Sequence, residues 1–93
     1  MCRNIRVLHN FSPPTTPEEM KAAALQYVRK VSGLNKPSQA DEAAFAKAVD
    51  QVAAATEKLL GALTARGEVR TREGEREKAK LRWVKREARL IDR

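Results

Sequence analysis

The chain has 93 residues, 42% of them hydrophobic and only four aromatic, and a formal net charge of +7. This length allows one small domain with an appendage, and the alanine-rich apolar content predicts a thin core of close-packed helices. The single cysteine excludes an intramolecular disulfide framework, and the absence of a run of about 20 apolar residues excludes a membrane-spanning helix.

The charge is distributed unevenly along the chain. Residues 1–65 contain eight Lys/Arg and six Asp/Glu, a balance of +2, whereas residues 66–93 contain eleven and six, a balance of +5. We therefore expect any anionic partner at the C-terminal third. The N-terminal residues lack the apolar run of a signal peptide, so we expect a location in the reducing cytoplasm.

The first helix has strong local signals. Residues 1–12 predict an extended lead, too short to form a sheet, which we expect to lie across the helices. Thr16, Pro17 and Glu19 then supply an N-cap hydroxyl, a proline at the first helical position and the glutamate of a capping box. With Gly33 as the C-terminal cap, they predict a helix over about 17–32.

A second helix is predicted over about 39–63, from an apolar stripe that runs from Phe45 to Leu63. Two apolar helices joined by a short connection pack as an antiparallel hairpin, so the predicted class is all-α. Residues 66–74 contain glycines and mixed charge, which we interpret as a linker. The predicted organisation is a helical domain over 1–65, this linker, and a helical tail over 75–93.

A third, separate helix is predicted over about 75–91, and it is basic and amphipathic. Six cations fall within an arc of roughly 100° in a helical projection: Lys78, Arg82, Lys85, Arg86, Arg89 and Arg93. The candidate residues for nucleic acid or an acidic partner are Lys78, Arg82, Trp83, Lys85, Arg86 and Arg89. The alternative is a solvated basic face on a helix whose Leu81, Val84 and Ile91 dock on the hairpin.

Specific strings of residues in the first two thirds of the chain suggest a family. They are Met1-Cys2-Arg3-Asn4-Ile5, Ala22 to Gly33 (AAALQYVRKVSG), Lys36-Pro37, Glu42 to Phe45, Ala48-Val49 and Val52 to Thr56. On these residues the chain resembles a bacterial family of small helical proteins classed as a domain of unknown function. The resemblance covers about residues 1–63. It implies an autonomous unit made of the lead and the helix pair, with Cys2-Arg3-Asn4 as part of its pattern.

Cys2 is the candidate for chemistry. Removal of Met1 would make it the N-terminal residue, a nucleophile with its own α-amine as base. It could also be a redox-sensing thiol whose pKa is lowered by Arg3 and Arg6, or a sulfur ligand. The alternative, which we favour, is a small residue packed beneath the first helix. Apart from this candidate we predict no catalytic residue.

No metal and no cofactor are predicted. Cys2 and His9, the only histidine, supply two ligands, whereas zinc sites need three or four protein ligands. A site shared across a dimer stays open.

The end of the first helix gathers candidates for binding a phosphate or carboxylate. These binding candidates are Arg3, Asn4, Arg29, Lys30 and Lys36. The alternative is that Arg29 and Lys30 complement the negative end of the helix dipole, which itself repels anions.

Two functions remain open at this stage. The favoured one is a non-enzymatic interaction module, with a homodimer formed through the apolar faces of the hairpin and with the basic helix bound to an acidic protein or nucleic acid. The alternative is a small thiol-dependent protein that uses Cys2.

Overall fold

The computed structural model of the chain describes residues 4–91, and for Leu90 and Ile91 it describes the backbone alone. Three helices follow one another: α1 (Pro17–Ser32), α2 (Glu42–Ala62) and α3 (Arg72–Ile91). Within residues 4–91 the extended backbone amounts to one isolated parallel bridge between Phe11 and Arg70. The predicted all-α class is confirmed. None of these helices is both long and apolar enough to cross a membrane.

The bounds of α1 agree with the prediction because its ends are fixed locally. The Thr16 hydroxyl accepts from the Glu19 backbone N–H at 3.2 Å, and the Glu19 carboxylate accepts from the Thr16 backbone N–H at 2.9 Å. These two bonds complete the capping box. At the other end Gly33 adopts a left-handed φ of 74°, and its N–H donates to the Arg29 carbonyl at 2.9 Å. That conformation favours glycine.

The second helix begins at Glu42, three residues after the predicted start, and ends at Ala62. The delay has a local cause. The Asp41 N–H donates to the Ser38 carbonyl at 3.0 Å and the Ser38 hydroxyl donates to the Asp41 carboxylate at 3.1 Å, which closes a turn at residues 38–41. The helical ladder starts only with the bond from the Phe45 N–H to the Asp41 carbonyl.

The core lies between α1 and α2, which pack against each other as the predicted hairpin requires. Ala24 and Val28 of α1 and Val49 of α2 are buried. A shell of partly buried apolar side chains surrounds them: Leu25, Phe45, Ala48, Val52 and Ala53. Alanines at the contact let the two helix axes approach closely.

The apolar stripes of the hairpin are wider than the surface that one partner helix covers. Tyr27 and Val31 on α1 are 49% and 67% exposed, and Leu59 and Leu63 at the end of α2 are also exposed. A stripe of about 100° needs more than one neighbour to bury it completely. The predicted stripe is therefore correct as a pattern, but only its central residues form the core.

The lead contributes two of the buried side chains, Leu8 and Phe11, which the sequence pattern did not single out as core residues. The Thr15 hydroxyl donates to the Leu8 carbonyl. Leu8 and Phe11 line a cleft of about 390 Å³ together with Met20 of α1 and Leu60 of α2. The lead thus lies across the helices, as predicted.

The third helix begins at Arg72, three residues before the predicted start at 75. Thr71 acts as its N-cap: the Thr71 hydroxyl accepts from the Gly74 N–H at 2.9 Å, and the Thr71 carbonyl accepts from the Glu75 N–H at 3.0 Å. Our interpretation of Gly74 as linker was wrong because a glycine is tolerated in a first turn that is capped in this way.

Docking of α3 on the hairpin is not observed. In the described part of the chain the α3 backbone does not come close to that of α1 or α2, and only the Arg72 side chain at the start of α3 bonds to a residue of α1, Glu19. Leu81 and Val84 are 60% and 59% exposed. The Cα radius of gyration, 16.7 Å, exceeds the roughly 12 Å expected for a compact chain of this length. The docking alternative is wrong for Leu81 and Val84, and the side chain of Ile91 lies outside the described residues.

Candidate functional site

Glu19 is the centre of the strongest electrostatic cluster in the described residues. Arg72 approaches it with both sides of its guanidinium, Nε at 3.1 Å from Oε2 and Nη2 at 2.5 Å from Oε1. Arg6 Nη2 lies 3.3 Å from Oε2. The bonds from Arg72 and from the Thr16 backbone N–H lower the pKa of the Glu19 carboxyl from 4.5 to about 2. One carboxylate therefore caps α1 and also holds the start of α3.

Arg72 uses most of its donors inside the protein. Besides Glu19, Nη1 donates to the Pro13 carbonyl at 2.8 Å and Nη2 donates to the Pro14 carbonyl at 3.2 Å. The guanidinium carbon lies 5.4 Å from the centroid of the Phe11 ring, a cation–π distance. The Glu19 carboxylate raises the pKa of Arg72. We call Phe11, Glu19, Arg70 and Arg72 the junction.

Backbone bonds reinforce the junction. The Arg70 N–H donates to the Asn10 carbonyl at 2.8 Å, and the Ser12 N–H donates to the Arg70 carbonyl at 2.9 Å. Asn10 has a φ of 62°, a left-handed conformation that asparagine adopts more readily than most residues. Arg70 Nη1 also donates to the His9 carbonyl at 2.8 Å. His9 thus takes part through its backbone.

The predicted binding candidates at the end of α1 are brought together in part. Asn4, Arg29 and Lys30 line a cleft of about 460 Å³, whose walls also include Gln26 and Asn35. Gln26 Oε1 accepts from the backbone N–H groups of Asn4 and Ile5, both at 2.9 Å. Sequence reasoning missed Gln26 because its role depends on the folded position of the lead.

Lys36 is not among the residues that line this cleft. The Arg29 Nε donates to the Asn35 carbonyl at 3.0 Å, so part of this guanidinium holds the turn after α1. Cys2 and Arg3, two further candidates, lie outside the described residues. Among residues 4–91 no three His, Cys, Asp or Glu side chains come together as metal ligands.

Five of the six predicted cations are exposed, namely Lys78, Arg82, Lys85, Arg86 and Arg89, and Arg93 lies outside the described residues. Lys78 Nζ lies 3.8 Å from Glu75 Oε1, and Arg86 lies 5.5 Å from the centroid of Trp83, which is itself 54% exposed. Within residues 4–91, Arg82, Lys85 and Arg89 have no ion-pair partner. The structure therefore leaves most of this positive charge uncompensated.

Two adjoining clefts border the face of α3 that is nearest the lead. The larger, of about 450 Å³, is lined by Arg6, Val7, Phe11, Arg72, Glu75, Arg76, Ala79 and Arg82. The smaller, of about 190 Å³, is lined by Ala79, Arg82, Trp83 and Arg86. They share Ala79 and Arg82, and we call the two together the arginine groove.

Sequence reasoning missed the contribution of Arg6, Arg72 and Arg76 to the arginine groove. Arg76 could have been found from its helical spacing to Arg72 and Trp83 on one face. No local pattern connects Arg6 to a helix that begins 66 residues later.

Comparison with known proteins places the chain in a family. No curated protein and no solved structure matches it. A family model described as an uncharacterized conserved protein, DUF2277, matches residues 1–78. The match extends past residue 63, where we expected the resemblance to end, and so includes the whole junction and the first residues of α3. Because the model covers most of the 93 residues, the chain belongs to the DUF2277 family of uncharacterized conserved proteins.

Proposed function

We propose that this protein is a small helical interaction module whose α3 binds an anionic partner, either a nucleic acid or an acidic protein. One observation carries the proposal. Between Lys78 and Arg89, α3 has six Lys/Arg and one Glu, a balance of +5. Within residues 4–91 this stretch of backbone comes close to neither α1 nor α2. An excess of positive charge on an exposed helix attracts anionic partners and increases their rate of association.

Exposed apolar side chains distinguish α3 from a helix that is merely solvated. Leu81, Trp83 and Val84 each expose more than half of their surface, in addition to the cations. A helix that only needs to remain in water gains nothing from these residues, whereas a binding helix uses them to bury area against its partner. The combination supports a binding role.

The junction supports the same function by fixing where α3 starts. Arg72 binds Glu19 and the Pro13 and Pro14 carbonyls, so the first turn of α3 is held against the lead. The remainder of the helix extends from that point without helix partners in residues 4–91. The basic residues therefore lie on a helix whose first turn is held in place by the junction.

The test compares two triple variants that each reduce the net charge from +7 to +4. The first, Lys78→Gln/Lys85→Gln/Arg89→Gln, changes α3, and the control, Lys21→Gln/Lys47→Gln/Lys58→Gln, changes exposed lysines of α1 and α2. Fluorescence anisotropy would measure binding to a labelled oligonucleotide and to a labelled poly-glutamate peptide.

We expect the affinity of the α3 variant for either polyanion to fall by about tenfold or more, and the dependence of its binding on salt to become weaker because fewer charges are neutralised. The control should retain nearly all of the affinity. Equal losses in both variants, or no binding of any polyanion by the unchanged protein, would contradict the proposal.

A homodimer through the exposed apolar faces of the hairpin belongs to the same proposal. Tyr27, Val31, Leu59 and Leu63 remain exposed, and a second copy would cover them. Native mass spectrometry should give twice the mass of one chain, and Val31→Lys should shift the protein to monomer. A monomer at all concentrations would contradict this part of the proposal.

The second candidate function is a thiol-dependent protein that uses Cys2. It is favoured by the cleft at the end of α1, which Asn4 lines two residues after Cys2, and by a family match that begins at residue 1. The pH dependence of alkylation by iodoacetamide measures the thiol pKa. A value near the ordinary 8.5 or so would contradict activation of this thiol.

A further inference from the structure

We propose that the arginine groove is a binding site for single-stranded nucleic acid. The inference rests on the proposed function, because it assumes that α3 binds an anionic partner, and it names that partner and its position. The groove is not the predicted basic arc. It shares Arg82 and Arg86 with that arc but extends toward the lead and the junction.

The shape of the groove suits an extended chain. Its two clefts, about 450 and 190 Å³, adjoin at Ala79 and Arg82. Together they follow α3 from its first turn to Arg86, a distance of about 20 Å at the helical rise. Ligand clefts commonly enclose 300–1,000 Å³, roughly the volume present here. Two adjoining clefts that follow one helix over this distance suit an extended strand better than a compact ligand.

The groove contains both apolar and cationic surfaces. Val7 from the lead and Ala79 from α3 supply apolar area, and Phe11 lies beneath the Arg72 guanidinium. Arg76 and Arg82 have no ion-pair partner in the described part of the chain. A ligand with flat apolar groups and regularly spaced negative charges satisfies both surfaces.

The acidic residues near the groove are already neutralised. Glu19 is bonded to both Arg6 and Arg72, and Glu75 Oε1 lies 3.4 Å from Arg70 Nε and 3.8 Å from Lys78 Nζ. An incoming phosphate therefore meets unpaired guanidinium groups without facing an unpaired carboxylate on these walls.

The kind of cation favours a nucleic acid over an acidic peptide. Among residues 4–91, every cation that lines the groove is arginine. The planar guanidinium binds phosphate through two parallel hydrogen bonds and also stacks on flat rings. Carboxylates accept the same hydrogen bonds, but acidic side chains offer no ring to stack against Arg76 or Trp83. A groove lined by arginines therefore suits a nucleic acid, which offers both phosphates and bases, better than an acidic peptide.

A single strand fits better than a duplex. Trp83 is half exposed at the distal end of the groove, with Arg86 against its ring, and an unpaired base can stack on either. Bases in a duplex are stacked on each other, so they cannot enter a cleft between the lead and α3. Recognition by stacking and phosphate contacts also predicts little dependence on base sequence.

The experiment measures fluorescence anisotropy with full-length protein and three probes of equal length: a labelled oligo-dT, a duplex and a poly-glutamate peptide. Three double variants each remove two positive charges. Arg76→Gln/Arg82→Gln alters the groove, Lys85→Gln/Arg89→Gln alters the arc outside the groove, and Lys47→Gln/Lys58→Gln on α2 is the control. Circular dichroism confirms that helix content is unchanged in each variant.

We expect the groove variant to weaken oligo-dT binding about tenfold and to reduce the salt slope by about 1.4, two phosphates at 0.7 each for a single strand. The arc variant should lose less, and the control should behave as the unchanged protein. Trp83→Ala should cost about tenfold, the effect of one stacked base. The duplex and poly-glutamate should bind more weakly than oligo-dT.

Failure of this inference can be distinguished from failure of the proposed function. If the arc variant loses as much oligo-dT affinity as the groove variant, or more, the groove is not the site. If poly-glutamate or the duplex binds as tightly as oligo-dT, the ligand is not a single strand. Either result overturns the inference but leaves the proposal that α3 is a binding helix intact. If no polyanion binds, the proposed function fails as well.

Discussion

The first and third helices are built from similar local signals but are held in different ways. Each follows a threonine N-cap and has glutamates in its first turn, and they contain 16 and 20 residues. α1 buries Ala24 and Val28 against α2, whereas none of the described side chains of α3 is buried. Helices of this length are marginal alone, so tertiary contacts decide how each is fixed.

The comparison indicates where each helix is vulnerable. α1 depends on close packing along its length, while α3 depends on the junction at one end. A helix fixed only at its end leaves its sides accessible to a partner. The sides of α3 that lack packing within residues 4–91 are therefore available for binding.

The largest loss of stability is expected from a charge placed in the packed contact between α1 and α2. Ala24 is 1% exposed, so Ala24→Asp buries a carboxylate without a partner and should cost about 3 kcal/mol or more of unfolding free energy. Urea denaturation followed by circular dichroism measures it. Ala54→Asp, on the exposed side of α2, is the control, and an equally small loss in both would show that the contact at Ala24 does not hold the hairpin.

The next effect is expected at the junction. Arg72→Ala removes the bonds to Glu19, Pro13 and Pro14, so the first turns of α3 should exchange their amide hydrogens faster while α1 and α2 stay protected. Hydrogen-exchange mass spectrometry measures this, with the exposed Arg66→Ala as control. Unchanged exchange in α3 would mean that Arg72 does not hold the helix.

The same cluster predicts a pH dependence. The pKa of Glu19 falls from 4.5 to about 2 in the folded chain, so its stabilising contribution is complete above pH 4.5 and is lost as the pH falls toward about 2. Glu19→Gln should flatten the dependence of the melting temperature on pH in that window. Glu18→Gln, at an exposed neighbour, should leave the dependence unchanged. Parallel curves for Glu19→Gln and the unchanged protein would contradict the assignment.

The smallest change in stability is expected at two glycines of the hairpin, where alanine should act in opposite directions. An added Cβ meets nothing within 4 Å at Gly33 or at Gly61, but Gly33 has a φ of 74°. Gly33→Ala should therefore cost about 1 kcal/mol through backbone strain. Gly61→Ala, inside α2, should stabilise by about 0.5–1 kcal/mol. Shifts of the same sign in thermal melts would show that the left-handed cap is not the cause.

Much of the fold follows from signals within a few residues. The bounds of α1 were predictable because Thr16, Pro17, Glu19 and Gly33 act on neighbouring backbone groups. Thr71 carried an N-cap signal for α3, but Gly74 stands where the capping box of α1 has a glutamate, so the signal was weaker. The exposed basic character of α3 also followed from composition, since charged side chains stay in water unless they are paired.

The candidate site was less predictable. Asn4, Arg29 and Lys30 were identified from the sequence and meet in one cleft, but Gln26 and the arginine groove were not foreseen. Arg6 and Arg72 reach the same carboxylate from positions 13 and 53 residues away. No helical or strand periodicity connects residues at such separations.

The sequence by itself determined the all-α class, the first helix and the basic character of the last, because hydrophobic spacing, capping and charge are local properties. The tertiary structure alone decided that Phe11 is buried beneath Arg72 and that Glu19 serves two helices. It also decided which arginines face one groove. These features depend on the path of the lead across the hairpin, which is set by contacts between residues distant in the chain.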